Sequence, residues 1–253
     1  MGLSGGSEGG RPPSAMLHRT APLPAPTWCS GEVVEVEHPH PDAVILRLRV
    51  RDQPDFVPGQ HYMIKLTADD GYNASRSYSV ASAPDQDLLE FYVERLDDGE
   101  VSPYLAEDVE VGDRLQLRGP IGGWFVWDGA TTAVGIGGGT GVIPLVSMLR
   151  HAGRLDLAER LRLVAVARTF AELPYADELA AAGATIALTR EPTTSGRAAG
   201  RLLSLDFEHL VHPDVTYYLC GSPGFADSAS QLLTEDLGVP PGAIRVERFG
   251  PSG

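Results

Sequence analysis

From Cys29 to about Leu117, the chain consists of short runs in which apolar and polar residues alternate, separated by turn residues. Short alternating runs at this spacing predict several strands that fold into a small antiparallel β-barrel. A short helix is predicted between two of these strands. The predicted strands are Glu32–Glu37, Val44–Val50, His61–Leu66, Leu88–Glu94 and Asp113–Leu117, and the predicted helix is Val101–Ala106.

After Trp127 the pattern changes to continuous apolar strands that alternate with helices. This alternation predicts a parallel sheet that is covered by helices on both faces. We therefore place a domain boundary near Asp128, between an antiparallel barrel of Greek-key type at 28–127 and an α/β domain at 128–253. The predicted strands are Thr132–Gly135, Leu161–Ala167, Thr185–Thr189 and Val215–Cys220, and the predicted helices are Pro144–His151, Ala176–Ala182 and Ala226–Leu237.

Residues 1–27 are rich in Gly, Ser, Pro and Ala and show no periodicity, so we predict a flexible tail. They lack the pattern of a signal peptide, and no run approaches the ~20 apolar residues needed to cross a bilayer. We therefore expect a cytoplasmic protein without membrane insertion. The formal charge of −14 argues against nucleic acid as a partner. The two cysteines are too few for a [2Fe–2S] cluster with four thiolate ligands.

The segment Arg76–Ser82 places an arginine, a tyrosine and hydroxyls at alternating positions of a strand. Alternating side chains share one side of a strand, so they can present a cation, a ring and a hydroxyl to a phosphorylated aromatic ligand. Arg76 would then grip a phosphate with its forked guanidinium, Tyr78 would pack on a ring, and Ser79 would hydrogen-bond a ring nitrogen. The alternative is an ordinary barrel strand with an exposed polar face.

Two turns follow in the predicted barrel. Gly99–Leu105 leads into the short helix, with Ser102 expected as its N-cap. Helix N-termini attract anions through their free N–H groups, although a simple capped helix is the alternative. Gly119–Phe125 is a tight turn near the domain boundary, and we expect its aromatic side chains to pack in the core.

Two glycine-containing turns in the α/β domain each follow a strand and open a helix. In Gly135–Pro144, glycines allow the backbone to approach a pyrophosphate, and the helix N-terminus attracts its charge. The glycine spacing departs from the standard dinucleotide fingerprint. The second turn, Leu219–Phe225, lies at another strand end, so the two turns can flank one crevice. Cys220 within it is otherwise a small buried hydrophobic residue.

Six motifs in this order resemble those of the ferredoxin–NADP reductase superfamily. The motifs are Arg-x-Tyr-Ser-x-x-Ser, Gly-x-Val-Ser, Gly-Pro-x-Gly, Gly-x-Gly-x-x-Pro, Cys-Gly-x-Pro-Gly and Glu-x-Phe. The resemblance covers about residues 29–253 and implies FAD in the barrel and NAD(P)H on the α/β domain. Relatives that bind FMN keep a similar arginine–tyrosine–serine strand, so FMN stays open as the alternative flavin.

On the flavin side, the resemblance implies that Arg76 contacts the FAD pyrophosphate. It also implies that Tyr78 and Ser79 lie against the isoalloxazine, with Ser79 near N5. The turn that contains Ser102 supplies further pyrophosphate contacts. The candidate flavin-binding residues are Arg76, Ser77, Tyr78, Ser79, Ser82, Gly99, Val101 and Ser102.

On the nucleotide side, the resemblance implies that Thr140 and Gly141 receive the pyrophosphate and that Cys220 lies beside the nicotinamide. Glu247 and Phe249 match the family's terminal acid and ring-stacking aromatic residue. Phe249 would cover the flavin until the nicotinamide displaces it, or it would merely belong to an edge strand. The candidate catalytic residues are Ser79, Cys220, Glu247 and Phe249, and the candidate nucleotide-binding residues are Gly139, Thr140, Gly141, Arg168, Arg190, Arg197, Gly221, Pro223 and Phe249.

Two arginines at strand ends favour NADPH over NADH. An NAD-selective strand typically ends near an acidic residue, whereas Leu161–Ala167 ends at Arg168 and the next predicted strand ends near Arg190. If the two strands are neighbours, these two guanidinium groups converge and suit a 2′-phosphate, and Arg197 follows in the next loop. Similar positions in bacterial NADP-linked relatives are arginine. The alternative is that they pair with nearby carboxylates, of which the candidates are Glu172, Asp177 and Glu191.

The expected reaction is hydride transfer from nicotinamide C4 to flavin N5, with the protein aligning the two rings. Some relatives carry a fused ferredoxin domain or a globin, and neither is recognised here. We therefore expect a separate acceptor, such as a ferredoxin, a flavodoxin or another redox enzyme. Two alternatives stay open: a reductase of free flavin or quinones, and a non-catalytic regulatory subunit that binds FAD and nucleotide. Rate enhancement by acceptor proteins and bleaching of the flavin by NAD(P)H would distinguish these three.

Overall fold

A computed structural model describes residues 26–250 and contains two sheets. Residues 1–25, most of the segment predicted to be a flexible tail, lie outside the described residues. The first sheet is antiparallel, with the strand order β4-β3-β6-β1-β2-β5. Its strands are β1 (Trp28–His40), β2 (Ala43–Val50), β3 (His61–Thr67), β4 (Asn73–Ser79), β5 (Leu89–Glu94) and β6 (Arg114–Ile121), and helix α1 (Ser102–Glu107) lies between β5 and β6.

The first sheet closes on itself just beyond β4. Val80 forms an antiparallel bridge with Phe91 of β5, and the Ala81 amide donates to the Glu90 carbonyl at 2.8 Å. Because β4 and β5 are the two edge strands, these bonds turn the sheet into a barrel with few free edges. The barrel encloses a core that includes Tyr62 and Phe91, whose rings meet edge to face at 6.0 Å. The predicted antiparallel barrel is confirmed.

The second sheet is parallel, with the strand order β11-β10-β7-β8-β9. Its strands are β7 (Ala133–Gly138), β8 (Leu161–Ala167), β9 (Thr185–Leu188), β10 (Thr216–Gly221) and β11 (Ile244–Arg248). The helices are α2 (Ile143–Arg154), α3 (Ala176–Ala181) and α4 (Pro223–Gln231), which continues as a π-helical segment, Leu232–Asp236. One core, with Leu145 and Leu179, packs under α2 and α3, and another, with Leu233, packs under α4. The predicted parallel sheet with helices on both faces is confirmed.

Several elements differ in length from their predictions, and strand β1 and helix α4 show two of the causes. Strand β1 is longer than Glu32–Glu37 because it pairs with both β2 and β6, and irregular pairing after Val33 and Glu37 breaks the simple alternation of its residues. Helix α4 begins at Pro223 instead of Ala226 because the Ser222 hydroxyl caps it by accepting from the Phe225 amide at 3.3 Å.

The segment between β6 and β7, residues 122–132, includes the predicted boundary and packs where the two sheets meet. Phe125 is 5% exposed and joins a core shared by the barrel and helix α2, as predicted. Trp124 is 63% exposed, so its predicted burial is wrong: its ring lies at the surface, with the Arg245 guanidinium 5.5 Å from the ring centroid. Within residues 26–250, no helix combines the length and apolar character needed to span a membrane.

Candidate functional site

Four polar residues from the two sheets come together where the barrel meets the carboxyl ends of the parallel strands. Ser79 ends β4 and pairs with His61 of β3, and Cys220 of β10 pairs with Glu247 of β11. His61 Nδ1 lies 3.6 Å from Glu247 Oε1, which connects the barrel to the second sheet. The structure therefore gathers Ser79, Cys220 and Glu247, which sequence analysis had placed in separate motifs.

Two buried polar atoms at this junction lack a hydrogen-bond partner within residues 26–250. They are Oγ of Ser79 and Oε2 of Glu247. Buried side-chain oxygens are nearly always paired, because leaving one unpaired costs about 1–3 kcal/mol. Their lack of protein partners fits a polar ligand that would supply the missing bonds. A flavin ring, with its nitrogens and carbonyl oxygens, has the chemistry to do so.

The titratable groups at the junction favour their neutral forms. Burial raises the pKa of Glu247 from its ordinary value of 4.5 to about 7. Burial likewise lowers the pKa of His61, and burial together with the Glu247 carboxylate raises the pKa of the Cys220 thiol. Near neutral pH the site therefore holds a protonated thiol and a carboxyl group that can gain or lose a proton.

Glu247→Gln should make the protein less sensitive to rising pH. An acid whose pKa is raised on folding destabilises the fold as the pH rises above its unfolded pKa, here from 4.5 to about 7. Relative to wild type, the variant should gain up to about 3 kcal/mol of unfolding free energy between pH 4.5 and pH 8, at 1.36 kcal/mol per pKa unit. Urea unfolding of the flavin-free protein at both pH values measures this gain. The exposed Glu208→Gln is the control, and an equal gain there would contradict the prediction.

The turns after β7 and β10 lie so close together that a side chain would not fit between them. A Cβ on Gly141 would lie 2.1 Å from the Cys220 carbonyl oxygen, and one on Gly138 would lie 2.7 Å from the Phe225 ring. Gly221 has a φ of +155°, and a Cβ there would lie 3.1 Å from the Gly138 carbonyl oxygen of the other turn. Only glycine fits at Gly141, and α2 begins two residues later. This arrangement offers backbone N–H groups and a helix N-terminus to an anion such as a pyrophosphate.

Phe249 is held against this turn by its backbone. Its amide donates to the Gly221 carbonyl at 2.9 Å, and its half-buried ring packs against the core shared by the two domains. Pro223 lies in the first turn of α4. Phe249 and Pro223 thus lie at the same ends of β10 and β11 as Cys220 and Glu247.

The predicted phosphate contacts of the barrel lie on an open face. Arg76 is exposed, and its Nη2 lies 3.4 Å from Oε2 of Glu100, whose other oxygen accepts from the Tyr72 hydroxyl at 2.7 Å. This surface ion pair is weak, so the guanidinium is available to an anionic ligand. Tyr78 is half-buried, and burial raises the pKa of its phenol. Of the other candidates in the described chain, Ser77 is exposed, Val101 is fully buried, and the half-buried ones are Gly99, Gly139 and Thr140.

Three of the predicted cofactor-binding residues have hydrogen-bond partners within the protein. The Ser82 hydroxyl is buried and accepts from the Glu90 amide at 3.1 Å. Ser102 is not the N-cap of α1, a position held by Val101, and its hydroxyl accepts from the Leu96 amide at 3.1 Å. All five N–H groups of the Arg197 guanidinium are engaged, by Asp206 and by three backbone carbonyls. These side chains already have partners within the protein, and their contacts with a cofactor stay predictions.

The backbones of Arg168 and Arg190 lie next to each other. The Arg190 amide donates to the Arg168 carbonyl at 2.9 Å, at the carboxyl ends of the neighbouring strands β8 and β9. Arg168 Nε lies 3.9 Å from Glu172, a long and exposed contact. Glu191 accepts from the Phe170 amide at 2.7 Å, so one oxygen of that carboxylate is bonded to the backbone.

Two residues at the junction, His61 and Gln60, carry no site motif that the sequence reveals. Gln60 links the start of β3 to the segment between the domains, since its Nε2 donates to the Gly122 carbonyl at 2.6 Å. His61 reaches the site only through the register of β3 against β4, which no local pattern reports. The sequence signal near these residues is the Pro58-Gly59 turn that precedes them. The structure requires glycine there, because a Cβ on Gly59 would lie 1.8 Å from the Phe125 carbonyl oxygen.

Comparison with known families divides the chain at the same place as the two sheets. Residues 30–126 match the oxidoreductase FAD-binding domain and residues 136–231 the oxidoreductase NAD-binding domain. The chain is 28% identical over 232 residues to the ferredoxin–NAD(P)(+) reductase component of the naphthalene 1,2-dioxygenase system of Pseudomonas putida, covering 88% of this chain and 69% of that protein. It is 32% identical over 213 residues to a flavohemoprotein of Bacillus subtilis, covering 78% of this chain and 52% of the relative.

Solved structures share the fold across both domains. The FAD/NAD-binding domain of a nitric oxide dioxygenase from Vibrio cholerae superposes with a TM-score of 0.77 at 26% identity, covering 88% of this chain and 99% of that one. A ferredoxin–NADP⁺ reductase from Neisseria gonorrhoeae, with FAD and NADP bound, gives 0.75 at 21% identity, covering 87% and 98%. The two matched domains, the closed barrel and the close approach of the two glycine-containing turns agree, and the chain belongs to the ferredoxin–NADP reductase superfamily of NAD(P)H-dependent flavoprotein reductases.

Proposed function

We propose that this protein takes a hydride from NADPH, in preference to NADH, onto FAD and passes electrons to a separate acceptor protein. The observation that carries the proposal is the meeting of Ser79 with Cys220 and Glu247 at the junction of the two domains. A flavin held by the barrel and a nucleotide held by the parallel sheet would face each other at that junction.

FAD, once bound, accepts two electrons as a hydride and can release them singly. The chain's own residues would bind and orient the flavin and the nucleotide. Arg76 would hold the flavin's pyrophosphate, Ser79 would bond its ring, and the turn at Gly141 would hold the nucleotide's pyrophosphate. Glu247 can hold or release a proton near neutral pH beside His61, and Phe249 would keep water from the flavin ring.

Similarity to reductase components supports a separate acceptor. A second reductase component is similar to the chain, in addition to that of the naphthalene dioxygenase system. It is the reductase component of propane 2-monooxygenase from Mycolicibacterium goodii, 32% identical over 80% of this chain and 62% of the relative. The chain spans about 52–69% of the lengths of these relatives and of the flavohemoprotein. An oxygenase component or a ferredoxin that serves it is therefore the acceptor class we propose.

Anaerobic mixing of the FAD-loaded protein with NADPH or NADH tests the proposal. We expect rapid bleaching of the flavin, then reoxidation that is faster with a ferredoxin, a flavodoxin or an oxygenase component than with free FMN or a quinone. Faster reoxidation by the small molecules would favour a free-flavin or quinone reductase. Absence of bleaching would leave a binding protein without turnover.

The preference for NADPH rests on Arg168 and Arg190. Their backbones are hydrogen-bonded at the sheet edge, where the ribose of a bound nucleotide is expected. Among residues 26–250, the one ion pair of these guanidinium groups is the long contact of Arg168 with Glu172, so both can turn towards a 2′-phosphate. Forked guanidinium groups match phosphate geometry better than any other side chain does.

The Arg168→Ala, Arg190→Ala double variant should lower the NADPH:NADH ratio of kcat/KM about 30-fold. Each charge-assisted bond contributes roughly 1.5–3 kcal/mol, reduced here because both arginines are exposed. Steady-state kinetics with both nucleotides measures the ratio. Arg162→Ala, at the opposite end of β8, is the matched control. A wild-type preference for NADH, or an NADPH preference that survives in the double variant, would contradict the assignment.

A further inference from the structure

A buried cluster of charged residues joins the two domains beside the candidate site. The Glu90 carboxylate of β5 is 8% exposed and accepts from Arg150 of α2 at 2.6 Å and from Arg47 of β2 at 2.5 Å. The Tyr175 hydroxyl, from just before α3, donates to the same carboxylate at 2.7 Å. Arg150 also makes two 2.8 Å bonds to Glu178. We call these five residues the Glu90 cluster.

Two more bonds connect α2 directly to the segment that follows Ser79. The Arg150 guanidinium donates to the Ala81 carbonyl at 3.0 Å, and the Ser147 hydroxyl donates to the Ser82 carbonyl at 2.7 Å. Helix α2 starts immediately after the Gly141 turn. The segment expected to hold the flavin and the helix expected to hold the nucleotide are therefore tied to each other without an intervening element.

The cluster carries a cost that stability alone does not explain. Burial by itself would raise the pKa of Glu90, yet Arg150, Tyr175 and Arg47 hold that pKa below its ordinary value. Replacing a buried ion pair by apolar residues is often neutral or stabilising, so such a pair is weak support for a stabilising role. Tyr175 also has a φ of +55°, a conformation that is strained for a residue other than glycine. The strained backbone of Tyr175 and the buried charges together indicate that the cluster sets a defined arrangement of the elements it joins, beyond any contribution to stability.

We propose that Glu90, Arg150 and Tyr175 are positioning residues that fix the separation between the flavin and the nicotinamide. The proposal rests on the proposed reductase function. Contacts between domains normally permit relative motion, whereas hydride transfer needs reacting atoms about 3–3.5 Å apart. Because the cluster bridges β5 with α2 and α3, it restrains the sheet junction where the two rings would meet. These residues act through the domain arrangement and touch neither cofactor.

Three conservative variants test the proposal: Glu90→Gln, Arg150→Lys and Tyr175→Phe. Arg154→Gln is one control, since Arg154 lies on the same helix and pairs with Asp85 across the same boundary in an exposed position. Leu233→Ala is the second control, because it opens a cavity in the core under α4, on the far face of the sheet, and lowers stability without touching the cluster.

The first readout is stopped-flow reduction of the FAD-loaded protein over a range of NADPH concentrations. We expect Glu90→Gln and Arg150→Lys to lower the limiting reduction rate at least tenfold, with the nucleotide Kd changed less than threefold, and Tyr175→Phe to lower it about threefold. The long-wavelength charge-transfer absorbance of the stacked rings should weaken in parallel. Both controls should keep wild-type rates, even where Leu233→Ala lowers Tm as much as Glu90→Gln does.

The second readout is hydrogen–deuterium exchange of the FAD-loaded protein, which requires no turnover. Amides of residues 79–82 and 143–154 should exchange at least fivefold faster in Glu90→Gln and Arg150→Lys than in Arg154→Gln. Unchanged exchange would overturn the proposal, as would rates that follow Tm in all variants including Leu233→Ala. If wild type shows no flavin reduction but the exchange difference appears, the proposed function fails while the coupling of the domains by the cluster stands.

Discussion

Replacing Ser79 by alanine is expected to slow reduction of the bound flavin by NADPH about a hundredfold, because a preorganised hydrogen-bond donor at a reacting centre contributes about 10²–10³ in rate. The hydroxyl is buried at the end of β4, next to His61, and has no hydrogen-bond partner within residues 26–250. Its missing partner is expected to be the flavin ring. Stopped-flow reduction under anaerobic conditions measures the limiting rate.

The flavin-free protein should respond in the opposite direction. Removing a buried hydroxyl that has no protein partner relieves a desolvation cost, so Ser79→Ala should match or exceed wild type in Tm before FAD is added. Ser75→Ala is the matched control, since Ser75 lies on the same strand with the same side-chain direction and is half-buried. A wild-type reduction rate in Ser79→Ala, or an equal loss in Ser75→Ala, would show that the hydroxyl does not bond the flavin.

Local patterns predicted the fold well where burial alone determines the pattern. Leu161–Ala167 was predicted with the bounds that β8 has, because a central parallel strand is apolar on both faces and its ends are marked by polar residues. Strand β7 extends to Gly138, three residues beyond its prediction, because glycines carry no apolar signal although their backbones pair in the sheet. A strand with apolar side chains on both faces was therefore easier to predict than a strand rich in glycine.

The candidate site was predictable only in part, because side-chain partners are set by tertiary contacts. Arg197 looked free in a glycine-containing loop, but Asp206, nine positions further on, takes up its guanidinium. Ser82 continued a convincing strand motif, yet closure of the barrel turns its hydroxyl towards the Glu90 amide. Glu90 itself sits in an ordinary alternating strand, and its role depends on Arg150, which is 60 residues away.

Gly141→Ala is expected to weaken nucleotide binding about a hundredfold while FAD binding to the barrel is unchanged. A Cβ at this position would lie 2.1 Å from the Cys220 carbonyl oxygen and 2.7 Å from the Gly221 Cα. Both are backbone atoms of β10, so no side-chain rotation can relieve the overlap. The turn after β7 must move away from β10, and displacement of a ligand site by about 1 Å can lower activity 10²-fold.

Titration of the FAD-loaded variant with NADP⁺, followed by the flavin difference spectrum, measures the loss of affinity. The matched control is Gly153→Ala, because Gly153 lies in α2, which follows the same turn, and a Cβ there would meet nothing within 4 Å. Alanine in a helix is favoured over glycine by about 1 kcal/mol, so the control should be as stable as wild type or more so. Because Gly141→Ala adds the same single methyl group as the control, a difference in Kd between them isolates the closeness of the two turns. Equal Kd values for both variants would mean that the turn after β7 does not hold the pyrophosphate.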